Sequence, residues 1–91
     1  MKLDVTPSAA SLFKNEWGFQ QGDRIRVFVR YNGEGDDAFA FGITRDEPSY
    51  PAVSVEKDDL HFFMENNDVW YLDGGDLTID CADDGIVFNR I

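Results

Sequence analysis

Residues 24–44, RIRVFVRYNGEGDDAFAFGIT, decide the architecture. From 24 to 31 the residues alternate, with Ile25, Val27, Val29 and Tyr31 on one face and Arg24, Arg26, Phe28 and Arg30 on the other. A period of two is that of a strand with one buried face. Phe39, Phe41 and Ile43 repeat the pattern on the far side. Between the two runs, Asn32, Gly33, Glu34, Gly35, Asp36 and Asp37 supply the chemistry a chain reversal needs. The reading is a β-hairpin with an acidic tip.

Toward the N-terminus, MKLDV alternates Leu3 and Val5 and predicts a short strand. TPSAASLFKNEWG then has the punctuation of a helix, with Thr6 as N-cap, Pro7 at the first position and Gly18 past the end. Ala9, Leu12, Phe13 and Trp17 share a face that should lie on a sheet, and Phe19 is placed to fold back onto Phe13. Beyond the hairpin, RDEPSYP reads as a loop. AVSV and LHFFME are two strands joined by EKDD, with Val53, Val55, Leu60, Phe62 and Met64 inward.

In NNDVWYLDGGD, Asn67 or Asp68 caps a short helical turn that Asp73, Gly74 and Gly75 break. Trp70 and Tyr71 are adjacent, so in an extended segment they point oppositely, one into the core and one outward as an aromatic anchor for a partner. DLTIDC and GIVFNR form a last strand pair around Ala82, Asp83 and Asp84. The fold class is β-rich α+β, with one N-terminal helix and a short second one, in a single domain over residues 1–91.

Lys and Arg total 8 against 18 Asp and Glu, a formal charge of -10. That balance repels phosphate backbones and anionic membranes, so nucleic acid and membrane are not the expected partners. A single cysteine, Cys81, makes no intramolecular disulfide and fits a reducing compartment. With neither a signal-peptide run nor a spanning segment, the expected location is the cytoplasm.

The chemistry-bearing residues are few. His61, the one histidine, alternates away from Leu60 and Phe62 and has no nucleophile to serve. Arg24, Arg26 and Arg30 concentrate positive charge on one strand face, where they pair with acids on neighbouring strands or frame a docking or anion site beside the acidic hairpin. Glu34, Asp36 and Asp37 are hard oxygen ligands on a glycine-flanked tip and suit a divalent cation. No catalytic set emerges, and the protein is expected not to be an enzyme.

Several stretches, in order, resemble the HesB-like family, the A-type iron–sulfur carriers of the IscA-like fold. They are Val29-Arg30-Tyr31-Asn32-Gly33, Phe39 to Gly42, Asp46-Glu47-Pro48, Val55 with Leu60-His61-Phe62-Phe63, and Trp70-Tyr71-Leu72-Asp73-Gly74 leading to Asp76 through Asp80. The resemblance implies a folded mixed sheet, a partial barrel, capped by helices. It also implies three cysteine ligands, one after the hairpin glycine and two in a C-terminal Cys-Gly-Cys. Here Glu34 occupies the first position, and the sequence ends at Asn89-Arg90-Ile91, before that tail. Cys81 falls at none of the three positions. Clusters normally take four thiolates, so a conventional iron–sulfur cofactor is not expected.

The expected function is a non-enzymatic interaction module related to iron–sulfur cluster biogenesis, with cluster carriage lost. Its working surface is placed at Tyr31, Gly33, Glu34, Gly35, Asp36 and Asp37, toward a protein partner. The competing reading is weak iron or other divalent metal binding by Glu34, Asp36 and Asp37. Free sheet edges make a homodimer a further expectation.

Overall fold

The computed structural model describes residues 1–31, 39–83 and 85–91. Leu3–Val5 form β1, and Thr6, in extended conformation, turns the chain into α1, Pro7–Asn15. The Thr6 hydroxyl accepts from the Ala9 N–H at 3.2 Å and donates to an Asp80 carboxylate oxygen at 2.8 Å, so one side chain caps the helix and ties it to the sheet. Gly18 has φ 75°, the left-handed conformation a helix stop requires. Across it the Phe19 N–H reaches the Phe13 carbonyl at 3.1 Å, and the two rings stack 5.7 Å apart. The buried face of α1 is Ala9, Ala10 and Phe13, whereas Trp17, expected in the core, is 44% exposed. The helix ends at Asn15, before the periodicity could carry Trp17 inward.

The hairpin strands are β2, Arg24–Tyr31, and β3, Phe39–Arg45, antiparallel with Tyr31 opposite Phe39 and Phe28 opposite Gly42. β4, Pro51–Lys57, and β5, Leu60–Glu65, pair antiparallel across Asp58 and Asp59. Both turn residues have positive φ, 52° and 67°, as a two-residue reversal between twisted strands demands. β5 also runs parallel to β2, giving the order β3-β2-β5-β4. A second sheet, β1-β6-β7, joins β1 parallel to β6, Leu77–Ala82, and β6 antiparallel to β7, Gly85–Arg90. Both sheets are mixed and open, without barrel closure among the described residues.

One core joins them. Ile25, Val27 and Phe62 come from the larger sheet, Leu77 and Ile79 from the smaller, and Phe13 from α1. The Phe13 and Phe62 rings lie 5.4 Å apart. Each such side chain contributes about 1.5–3 kcal/mol by leaving water. The expected inward set of β5 is buried, and Val53 and Val55 of β4 pack partly buried against the core. On β2 Ile25 and Val27 are buried while Tyr31, on the same face, is exposed; on β5 Phe63 and Glu65 are buried as well. No helix among the described residues is long and apolar enough to cross a membrane.

Candidate functional site: an aromatic patch beside the hairpin

Of the residues placed in the working surface from sequence, Tyr31 is described. Gly33, Glu34, Gly35, Asp36 and Asp37 lie outside the described residues, and with them the proposed cation ligands. Tyr31 ends β2 and is 73% exposed, its ring edge-on to Phe39 at 5.6 Å. Phe39 in turn meets Trp70 edge-on at 5.1 Å, and Trp70, 54% exposed, meets Tyr71 at 5.5 Å. The hairpin base thus continues into an aromatic patch contributed by a second segment.

That segment is a 3-10 turn, Val69–Leu72, so Trp70 and Tyr71 do not alternate as they would in a strand. Trp70 is the exposed member of the pair, as an anchor should be, and Tyr71 holds the turn down. The Tyr71 hydroxyl donates to the Phe39 carbonyl at 3.2 Å. The Arg90 guanidinium lies 4.3 Å over the Tyr71 ring and donates to the Tyr71 carbonyl at 3.3 Å.

The start of the turn is fixed by charge. Asp68 stands at the cap position, but its carboxylate leaves the turn. One oxygen accepts from Arg26 Nε at 3.1 Å and Nη2 at 2.7 Å, and the other from the Val29 N–H at 3.2 Å. Arg26 also reaches Asp46 at 3.5 Å. Hydrogen bonding to Asp68 raises the Arg26 pKa beyond its already high ordinary value, so the guanidinium stays charged. Asp68 is buried and Trp70 stands two residues on, so a rigid ion pair positions an exposed aromatic.

The arginine face of β2 divides in three. Arg24 pairs with Glu47 at 2.6 Å in solvent and Arg26 with Asp46 and Asp68, whereas Arg30 makes no ion pair with a described residue. Buried Glu65 accepts from the Ser49 and Tyr50 N–H groups at 2.7 and 2.6 Å, which explains how loop 46–50 is held. His61 is half exposed on the outer face of β5, 3.1 Å from Glu56. Cys81 sits opposite Ile86 in β6 and packs partly buried against the core. Among the described residues, no three His, Cys, Asp or Glu side chains gather as a metal site would need.

Adjacency in the sequence marked one of Trp70 and Tyr71 as exposed but did not show their neighbours. Tyr31 and Phe39 meet through the register of β2 on β3, which alternation alone leaves open. The clue to Asp68 was Arg26, a cation in a half-buried strand that needed an acid from somewhere.

Two solved structures share this architecture. Escherichia coli SufA, described as involved in the biosynthesis of iron–sulfur clusters, superposes with a TM-score of 0.61 at 21% identity, over 97% of this chain and 77% of that one. IscA, solved with a 2Fe–2S cluster, gives a TM-score of 0.60 at 12% identity, over 96% and 81% of the two chains. No protein-family model matches the chain. Among curated proteins, the pyruvate dehydrogenase inhibitor of Bacillus subtilis is 34% identical over 86 residues, 92% of this chain and 90% of the relative. An uncharacterised protein of Staphylococcus saprophyticus is 32% identical over 91 residues, 94% and 92% of the two.

The fold is that of the A-type iron–sulfur carriers, here with an aromatic patch at the hairpin base and one cysteine, Cys81, in the whole chain. The chain belongs to one family with the Bacillus subtilis pyruvate dehydrogenase inhibitor, and its fold is HesB-like.

Proposed function

We propose that this protein is a non-enzymatic, cytoplasmic inhibitor that acts by binding pyruvate dehydrogenase, on a HesB-like fold that no longer carries clusters. The observation that carries this reading is 34% identity across 92% of the chain to a relative named for that inhibition. The donor set supports it. The only thiol is Cys81, partly buried and packed against the core, and a cluster normally takes four thiolates. What the fold offers instead is a fixed, exposed aromatic surface, the kind of anchor that dominates protein interfaces. Tyr31 and Trp70 make that contact.

The test titrates the purified protein into the host's own pyruvate dehydrogenase complex while NADH formation is followed. Inhibition should saturate, and Trp70→Ala should weaken it at least about tenfold without altering the circular dichroism spectrum. An unaffected rate, together with no heat of binding by calorimetry, would remove the reading.

A further inference from the structure

β3 and β7 each end their sheet, so each has one backbone edge without a strand partner among the described residues. The stacking of Phe41 on Phe88, ring centroids 5.1 Å apart, draws these two edges together. Between them opens a groove of about 380 Å³. Phe41 and Ile43 line it from one face of the β2–β3 pair and Phe28 and Arg30 from the other, so the groove wraps the edge of β3. Ile86 and Phe88 form the opposite wall and Trp17 closes one side.

Edges left open invite pairing, and folded proteins guard them with prolines, bulges, charges or brevity. The other two edge strands are guarded. β4 opens with Pro51, carries a register shift between Pro51 and Val53, and ends in Glu56 and Lys57. β1 is three residues long. By contrast, β3 and β7 carry no proline, and the one charge of each is an arginine at its last residue, Arg45 and Arg90. The two least guarded edges are the two that face the groove.

The charge of the lining narrows the occupant. In a chain with 18 acids, the groove is lined by no Asp or Glu among the described residues. Its single charge is Arg30, the one β2 arginine without a described carboxylate partner. We infer that the groove takes an extended, β-branched segment of a partner protein, which adds a strand to the edge of β3 and offers a carboxylate to Arg30. The inference does not depend on which protein is inhibited. A second copy is the weaker occupant, because two chains of charge -10 repel.

The test adds an octapeptide of alternating valine and threonine with one central glutamate to isotope-labelled protein. Amide shifts should concentrate on Phe41 to Ile43 and Ile86 to Phe88. Arg30→Gln, or lysine in place of the glutamate, should weaken binding about five- to tenfold. Because N-methyl groups block backbone donation, methylating one alternate set of peptide amides should abolish binding while the other set is tolerated. The inference is overturned by absence of binding at millimolar peptide, by shifts elsewhere, by indifference to both charge changes, or by tolerance of both methylated sets. It is equally overturned if light scattering gives a dimer mass and the β3 amides shift with protein concentration alone, since a second copy then fills the groove.

Discussion

Asp68 joins three things that are distant in sequence: the Arg26 guanidinium, the Val29 amide and the turn bearing Trp70. Asp68→Ala leaves the Val29 amide and part of the Arg26 guanidinium unpaired, although Arg26 keeps Asp46, and should cost about 2 kcal/mol. Asp68→Asn keeps an acceptor for Val29 and should cost less. Urea midpoints read at constant slope separate the two variants. A second residue-scale test concerns Gly42, where an added methyl would clash with the outer end of the Phe28 ring on the neighbouring strand. The ring is partly exposed and can swing away, so Gly42→Ala should cost about 1 kcal/mol and move the Phe28 resonances.

At the scale of elements, the join between α1 and β6 rests on Thr6 and Asp80. The Thr6 hydroxyl, then the Cys81 N–H, hold the Asp80 carboxyl below its ordinary 3.8. A depressed folded-state pKa stabilises fully above the unfolded value and is lost as pH falls through the lower, folded one. Thr6→Ala should therefore cost about 1 kcal/mol as a lost cap and flatten the fall in stability below that ordinary value. Asp23, held down first by the Gln20 N–H and then by Arg45, keeps its own acid dependence, as does Asp80 through the Cys81 N–H. Denaturant midpoints from pH 2 to 6 test the sign. Elements were legible where local chemistry sets them: Thr6, Pro7 and Gly18 bound α1, and alternation marks β2 and β3. The parallel pairings of β1 with β6 and β2 with β5 were not, because nothing local encodes a partner tens of residues away. The short turn between Asp68 and Asp73 was legible from its caps, whereas the partner of the Asp68 carboxylate, Arg26 on β2, was not.

For the molecule as a whole, anaerobic reconstitution with ferrous iron and sulfide followed by desalting should return a colourless, metal-free protein, and Cys81→Ser should behave identically. Bound iron that the Cys81→Ser variant loses would make Cys81 a ligand between subunits. The family resemblance was legible from ordered stretches spanning nearly the whole chain, whereas the aromatic patch emerged only once hairpin and turn were folded together. Among the described residues, the non-glycine positions of positive φ are Asp58, Asp59, Asp73 and Asp83. Asparagine shares aspartate's tolerance of that conformation and differs from it in charge. Exchanging all four would strip four negative charges while leaving every reversal its geometry, so electrophoretic mobility and colloidal behaviour can be tuned apart from shape.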